Sequence, residues 1–216
     1  MPRLLLVRHG ETEWSLNGFT GRSDIALTAR GEQQVREMAP LLIGEGRAID
    51  PKDLCTVLVS PRSRTQKTFD LLFENIPASD MPSRILSEEV REWDYGEYEG
   101  LRTKEVREKQ PDWDVWRDGC VGGESADEMR DRADKVIAMV RQHHKEYVEG
   151  SSHTRDVLII AHGHINGALV VRWLNSDLGL GTHFNVKPGG VTILSYNHDS
   201  LNEPALDGFN LYADLK

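Results

Sequence analysis

Near its start the chain reads Leu4-Leu5-Leu6-Val7-Arg8-His9-Gly10. Four apolar residues are too few for a buried helix, and a glycine closes the run, so it predicts a β-strand buried on both faces. In open parallel sheets, ligands bind beyond the carboxyl ends of the strands. A guanidinium and an imidazole at such an end therefore indicate a site for an anion, with phosphate as the leading candidate.

A second buried-strand run ends in the same way far down the chain, in Val157-Leu158-Ile159-Ile160-Ala161-His162-Gly163. If the two strands are neighbours in one sheet, His9 and His162 meet over its edge. A third run, Leu54 to Val59, is followed by Ser60-Pro61-Arg62-Ser63-Arg64. Because a core gains nothing from polar groups at three strand ends, this pattern favours a functional site over packing.

The remaining patterns predict a three-layer α/β sandwich with a mainly parallel central sheet. We expect one domain, 1–216, with an insertion over the active site at about 91–124. Further strands are predicted at Ile85 to Val90, at Val191 to Tyr196 and, as an edge strand, at Phe209 to Tyr212, and a loop at Glu13 to Arg22. Five helices are predicted, at Thr28 to Gly44, Pro61 to about Asn75, Thr103 to Lys109, Ser125 to about Glu149 and Ile165 to about Asn175. Thr28 is the expected N-cap of the first, and Ser125 and Glu128 are spaced as a capping box at the start of the fourth.

Composition limits the classes of function. The chain has 216 residues, 38% of them hydrophobic, a net charge of −9 and two isolated cysteines. The negative charge argues against nucleic acid or an acidic membrane surface as partner. No apolar stretch approaches the roughly 18 residues of a membrane span, and the first strand leaves no room for a signal peptide, so we expect a cytoplasmic protein.

Phosphoryl transfer from an ester needs a nucleophile, cations for the phosphate oxygens and a proton donor for the leaving group. Neutral His9 suits the first role, and Arg8 and Arg64 suit the second because guanidinium binds phosphate bidentately and stays charged. For the donor we select Glu92, since contact with aromatic neighbours would disfavour its ionised form. Asp94 is the second choice.

Two simpler interpretations concern other polar residues of the same regions. Glu97 and Glu99 are expected to be solvated loop charges. His162 and His164 are two residues apart and suggest a metal site, but no third ligand stands at a suitable spacing and the arginines would repel a cation. We therefore expect no metal and no other cofactor.

These residues together resemble the histidine phosphatase, or phosphoglycerate-mutase-like, superfamily. The resemblance extends, in order, over Arg8 to Thr12, Phe19-Thr20-Gly21, Leu27-Thr28, Ser60-Pro61, Arg64, Glu92, Tyr95-Gly96, Gly123-Glu124-Ser125 and Ala161-His162-Gly163. It implies that His9 is the phosphorylated nucleophile, that Arg8, Arg64 and His162 complete the phosphate pocket, and that Glu92 donates the proton. Thr20, Gly21 and Gly163 are assigned to substrate binding on the same grounds, and Arg62 to the surface or the pocket rim.

Within the superfamily the chain is most similar to the fungal sedoheptulose-1,7-bisphosphatase type, which implies a phosphatase acting on a small phosphorylated substrate such as a sugar phosphate or bisphosphate. A bisphosphate needs a second cation, and the segment Ile165 to Ala168 lacks the arginine of that type; Lys187, Arg22 or His198 could replace it. A monophosphate substrate stays open. Two other functions also stay open, a phosphoglycerate mutase and a binding protein without activity. The acidic and aromatic segment Trp113 to Asp118 favours hydrolysis over the mutase reaction.

Overall fold

A computed structural model describes residues 1–213 and has a six-stranded sheet at its centre. The strands are β1 (Leu4–Arg8), β2 (Leu54–Val59), β3 (Arg84–Leu86), β4 (Asp156–Ala161), β5 (Val191–Tyr196) and β6 (Pro204–Leu211), in the spatial order β3-β2-β4-β1-β5-β6. Pairing is parallel from β3 to β1, and β5 is antiparallel to both β1 and β6. The predicted α/β class with a mainly parallel sheet is confirmed.

Helices cover both faces of this sheet. They are α1 (Glu13–Asn17), α2 (Ala29–Leu42), α3 (Ser63–Leu72), α4 (Thr103–Lys109), α5 (Val115–Asp118), α6 (Ala126–Val148) and α7 (Gly163–Trp173). The Thr28 hydroxyl caps α2 by accepting from the Gly31 amide, and Ser125 and Glu128 form the expected capping box of α6. No helix within residues 1–213 is long and apolar enough to cross a membrane.

The side chains of β1 alternate between two cores, which explains its continuous apolar run. Leu5 and Val7 pack on the face covered by α2 and α3. Leu4 and Leu6 pack on the face covered by α6, α7 and the aromatic residues of segment 91–124. The central strands are thus buried on both sides, as their sequence indicates.

Three local predictions were wrong in detail. Segment 13–22 is not all loop, because Thr12 and Ser15 form a capping box that starts α1. The strand predicted over Ile85 to Val90 is the short, exposed β3, after which Glu88–Val90 turns into a 3₁₀-helix. The last strand begins earlier than Phe209, because Pro204–Leu211 pairs along the whole of β5.

Strand register brings the polar strand ends to one edge of the sheet. Arg8 pairs with Ala161, and Val59 pairs with Ile160, so His9, Ser60 and His162 follow three adjacent strands at the same level. We call this the carboxyl edge.

Candidate active site

The two histidines that end β1 and β4 lie against each other at the carboxyl edge. The ring centroids of His9 and His162 are 5.2 Å apart, and the ring planes are inclined by 64°. Both side chains are buried, at 4% and 0% exposure. The structure therefore brings together the imidazoles of two segments that are far apart in the sequence.

His9 is held in one orientation and one tautomer. Its Nδ1 lies 2.7 Å from the Gly10 carbonyl oxygen, which only accepts, so Nδ1 carries the proton and Nε2 keeps its lone pair. Burial lowers the pKa of His9 well below the ordinary value, and the charges of His162, Arg8 and Arg64 lower it further. The ring is therefore neutral near pH 7 and chemically suited to act as a nucleophile.

Arg64, in the first turn of α3, joins the second histidine to the cavity wall. Its Nε donates to His162 Nδ1 at 3.2 Å, and its terminal nitrogen donates to the Ser23 carbonyl at 2.6 Å. His162 Nε2 then donates to Ser60 Oγ, 2.8 Å away. Burial lowers the pKa of Arg64 to about 10, which leaves it cationic near pH 7.

Arg8 presents the second guanidinium. One terminal nitrogen donates to the Val186 carbonyl at 2.5 Å, whereas the buried Nε has no hydrogen-bond partner among the described residues. A Cβ on Gly163 would lie 3.3 Å from the guanidinium carbon of Arg8, so a larger residue there would crowd it. Arg8 thus has an N–H group available for an acceptor in the cavity.

Glu92 lies at the same cavity, but its ionisation differs from the prediction. Its Oε1 accepts from the amides of Trp93 and Ile165, both at 3.0 Å, and its Oε2 accepts from the amide of His164 at 3.1 Å. Burial alone would raise the pKa of Glu92, but interactions with His164 and the charge of His162 outweigh it and hold that pKa well below the ordinary value. The expectation of a neutral carboxyl was therefore wrong for this state, since the sequence gives no sign of the three amide donors.

The cavity above these groups has a volume of about 310 Å³. Its walls are mainly aromatic and neutral polar: Thr12, Trp14, Ser15, Phe19, Thr20, Gly21, Ile25, Tyr95, Trp116, Gly163, His164, Gly181, Thr182, Phe184, Asn185 and Val186, with Arg8, His9, Arg64 and Glu92 at the carboxyl edge. Thr20, Gly21 and Gly163 lie where the sequence predicts, in the wall. His162 does not line the cavity and contacts it through Arg64.

Trp116, which the sequence interpretation used only as part of the segment Trp113 to Asp118, is a wall residue. Its indole lies on two glycines: a Cβ on Gly167 would be 3.0 Å from the ring, and a Cβ on Gly181 would overlap it. Trp116 therefore occupies the space that a side chain at position 167 would need.

Glu99 is not the solvated loop charge that we expected. Its Oε1 accepts from the Ser23 amide at 2.8 Å and from the Ser23 hydroxyl at 2.6 Å, and its Oε2 accepts from the Arg22 amide at 3.2 Å. Ser23 in turn binds Arg64 through its carbonyl. Glu99 thus anchors the segment that positions a cavity guanidinium.

Asp94 and the candidate cations for a second phosphate lie outside the cavity wall. Arg22 pairs with Asp94 at 3.1 Å in a recess beside the cavity, where Arg62 also lies, paired with Glu88. His198 follows β5, which is antiparallel to β1, so it lies at the opposite edge of the sheet and was wrongly chosen. Lys187 follows Val186 but does not line the cavity.

The two histidines considered for a metal point to different partners. His162 contacts Arg64 and Ser60, whereas His164 Nδ1 lies 2.7 Å from the Tyr95 hydroxyl. Within residues 1–213, no group of three or more His, Cys, Asp or Glu residues is arranged to hold a metal ion.

Comparison with known proteins agrees with this geometry. Residues 4–207 match the model of the histidine phosphatase superfamily, branch 1. An acid phosphatase of Mycobacterium tuberculosis is 39% identical over 197 residues, which cover 91% of this chain and 87% of the relative. The sedoheptulose 1,7-bisphosphatase of Saccharomyces cerevisiae is 29% identical, covering 95% and 92% of the two chains. A solved structure of a Mycobacterium tuberculosis open reading frame product superposes with a TM-score of 0.81 at 35% identity and covers 97% of each chain.

Proposed function

The chain belongs to the histidine phosphatase superfamily, and we propose that it hydrolyses small phosphomonoesters through a phosphohistidine intermediate at His9. The observation that carries this proposal is the arrangement around His9: a buried, neutral imidazole with its Nδ1 proton fixed on the Gly10 carbonyl, next to two guanidiniums in one cavity. Arg8 and Arg64 supply the charge that a phosphoryl group needs, and the Nε of Arg8 still has a donor to offer.

In the first step, Nε2 of His9 attacks phosphorus and forms the P–N bond. The P–O bond to the leaving group breaks, its electron pair stays on the leaving oxygen, and that oxygen takes a proton from Glu92. The phosphate dianion brings negative charge to the carboxylate, which raises the pKa of Glu92 and favours its protonated form in the substrate complex.

In the second step, a water molecule replaces the leaving group. Ionised Glu92 takes one proton from the water as its oxygen bonds to phosphorus, the P–N bond breaks, and the electron pair returns to Nε2 of His9. Inorganic phosphate leaves, and without its charge the pKa of Glu92 falls again, so Glu92 returns this proton to solvent. The guanidinium of Arg64, fixed by His162 and Ser23, stays next to the phosphoryl oxygens through both steps.

The cavity favours monophosphates as substrates. Its arginines, Arg8 and Arg64, both lie at the carboxyl edge, and within residues 1–213 no lysine lines it. A second phosphate of a bisphosphate would meet mainly aromatic and neutral polar groups instead of a guanidinium or an ammonium. The leaving group is therefore a sugar or another small alcohol with one apolar face, which Trp116 and its aromatic neighbours can contact.

Release of phosphate from p-nitrophenyl phosphate tests the proposal. The wild-type chain should release phosphate and, when quenched in alkali, retain acid-labile phosphate on His9; His9→Ala should do neither. Unchanged turnover in His9→Ala would overturn it.

Incubation with 3-phosphoglycerate tests the mutase alternative, which is suggested by relatives such as the phosphoglycerate mutase of Bartonella quintana, 30% identical over 203 residues. Conversion to 2-phosphoglycerate without free phosphate would contradict hydrolysis.

A further inference from the structure

His164 lies in the cavity wall next to Glu92, and the mechanism above gives it no role. Its side chain is 31% exposed, whereas that of Glu92 is 9% exposed. The ring packs against two tryptophans, with centroids 5.3 Å from Trp116 and 6.3 Å from Trp93. His164 is therefore a titratable group that solvent reaches directly, unlike the carboxyl that it adjoins.

His164 and Glu92 meet at one oxygen. The His164 amide donates to Oε2 of Glu92 at 3.1 Å, and Nδ1 of the ring lies 3.8 Å from the same atom. That separation exceeds hydrogen-bond length, so transfer requires the ring to turn from the Tyr95 hydroxyl toward Oε2 or a bridging water. Catalytic contacts commonly shorten in this way when substrate binds. A proton can thus pass between the imidazole and the carboxylate.

Tyr95 supports the ring in both of its protonation states. Its hydroxyl lies 2.7 Å from Nδ1 of His164, and a hydroxyl can donate to a neutral nitrogen or accept from a protonated one. The tyrosine is buried, and burial raises its pKa well above the ordinary value, so it does not itself lose the proton. The guanidinium of Arg8 lies against Gly163, the residue before His164.

We propose that His164 supplies Glu92 with the proton that Glu92 gives to the leaving group, and that Tyr95 holds the ring in place for this transfer. This inference rests on the proposed phosphatase reaction. When substrate binds, the proton moves from protonated His164 to the ionised carboxylate, and His164 becomes neutral. Glu92 then protonates the leaving oxygen, recovers a proton from the attacking water, and exchanges it with solvent through His164. His164 is a positioning and supply residue, since its proton reaches substrate through Glu92.

Leaving groups of different basicity test this role. Alkoxide needs a proton as it leaves, whereas p-nitrophenolate does not, and kcat/KM reports the step in which the leaving group departs. His164→Asn, which keeps a hydrogen-bonding group near Tyr95, should lower kcat/KM for glycerol 3-phosphate about tenfold to a hundredfold, the range of a weakened general acid. It should lower kcat/KM for p-nitrophenyl phosphate less than about threefold.

A matched variant and a second substitution complete the test. His198→Asn changes a histidine at the opposite edge of the sheet and should leave both substrates unaffected. If His164→Asn folds poorly, as judged by its melting temperature, Tyr95→Phe should give a smaller loss with the same preference for the alkyl ester. Equal losses for both substrates would overturn the role of His164. Failure of the wild type to hydrolyse either ester would instead overturn the proposed function.

Discussion

Arg64 and His162 are joined by a hydrogen bond of 3.2 Å from the guanidinium Nε to the imidazole Nδ1. The same guanidinium binds the Ser23 carbonyl through a second nitrogen, so two segments fix its plane. A fixed guanidinium loses little freedom when it binds phosphate, and it keeps its charge even though burial lowers its pKa to about 10.

Replacing Arg64 by lysine tests the value of this geometry. A single ammonium cannot donate to His162, Ser23 and a phosphate oxygen from the positions that the guanidinium uses, so Arg64→Lys should lower kcat/KM for p-nitrophenyl phosphate about a hundredfold, near 3 kcal/mol of transition-state stabilisation. Arg62→Lys, two residues earlier and paired with Glu88, is the control and should change it less than about threefold. Similar losses in the two variants would contradict the assignment.

The pH dependence of turnover should reflect the lowered pKa of His9. Because burial and nearby positive charges disfavour its protonation, the acid limb of kcat/KM should lie below pH 6.5. Arg8→Ala removes one of those charges, so it should raise the pKa of His9 and move the acid limb to higher pH. Using one substrate for both proteins cancels the titration of the substrate itself. An acid limb that stays in place would show that His9 is not the titrating group.

Glu99 anchors Arg22 and Ser23, so replacing it should affect stability and substrate binding, whereas replacing Glu97 should not. Glu99→Gln places an amide N–H opposite a backbone N–H, which costs about 1–2 kcal/mol and lowers Tm by about 2–8 °C. KM for p-nitrophenyl phosphate should rise, because Ser23 positions Arg64. Glu97→Gln alters an exposed side chain and should change neither quantity. Thermal melts and steady-state kinetics of both variants provide the comparison.

His144 should make folding stability depend on pH. It is fully buried, with Nδ1 2.9 Å from the Tyr196 hydroxyl, and burial lowers its pKa to about 4. The unfolded chain takes up this proton near pH 6.5 and the folded chain only near pH 4, so the contribution of His144 is complete above pH 6.5 and is lost as the pH falls toward 4. The expected loss is about 3 kcal/mol.

Urea unfolding of His144→Gln at pH 7 and pH 4.5 measures this contribution. The lowered pKa values of His9 and His162 also make the free energy of unfolding fall as the pH falls. The contribution of His144 is therefore the difference between wild type and variant in the change of that free energy from pH 7 to pH 4.5. His143→Gln, at the more exposed neighbouring position, should keep the pH dependence of the wild-type free energy of unfolding. The same pH dependence in His144→Gln would refute the prediction.

The cavity lining predicts no advantage for a second phosphate. The kcat/KM for fructose 1,6-bisphosphate should not exceed that for fructose 1-phosphate by more than about threefold, because no arginine or lysine of residues 1–213 lines the wall away from the carboxyl edge. Thr182→Arg puts a guanidinium on that wall and should raise the ratio. A strong preference of the wild type for the bisphosphate would contradict this account of the cavity.

Sequence reasoning identified the elements whose signals are local. The strands β1 and β4 are continuous apolar runs that end in polar groups, and the Ser125 capping box marks the start of α6. The short helix α1 was missed because five residues carry no periodicity, although Thr12 and Ser15 stand at capping-box spacing. The strand β3 was predicted too long because it is an exposed edge with three residues.

For the site, the strand ends supplied His9, Arg64 and His162, because parallel strands align their ends without further information. Properties that depend on distant partners could not be inferred. Glu92 owes its lowered pKa to interactions with His164 and the charge of His162, which outweigh burial, and Glu99 owes its role to Ser23. His164 stood beside the predicted cluster, but the position of Tyr95 was needed to give it a function.

The packing of Trp116 on Gly167 and Gly181 has a consequence for protein engineering. A side chain at position 167 or 181 would crowd the indole, so single substitutions at either glycine would record steric damage. A library that randomises the three together could exchange the indole for a different pair of side chains and reshape the acceptance of alcohols.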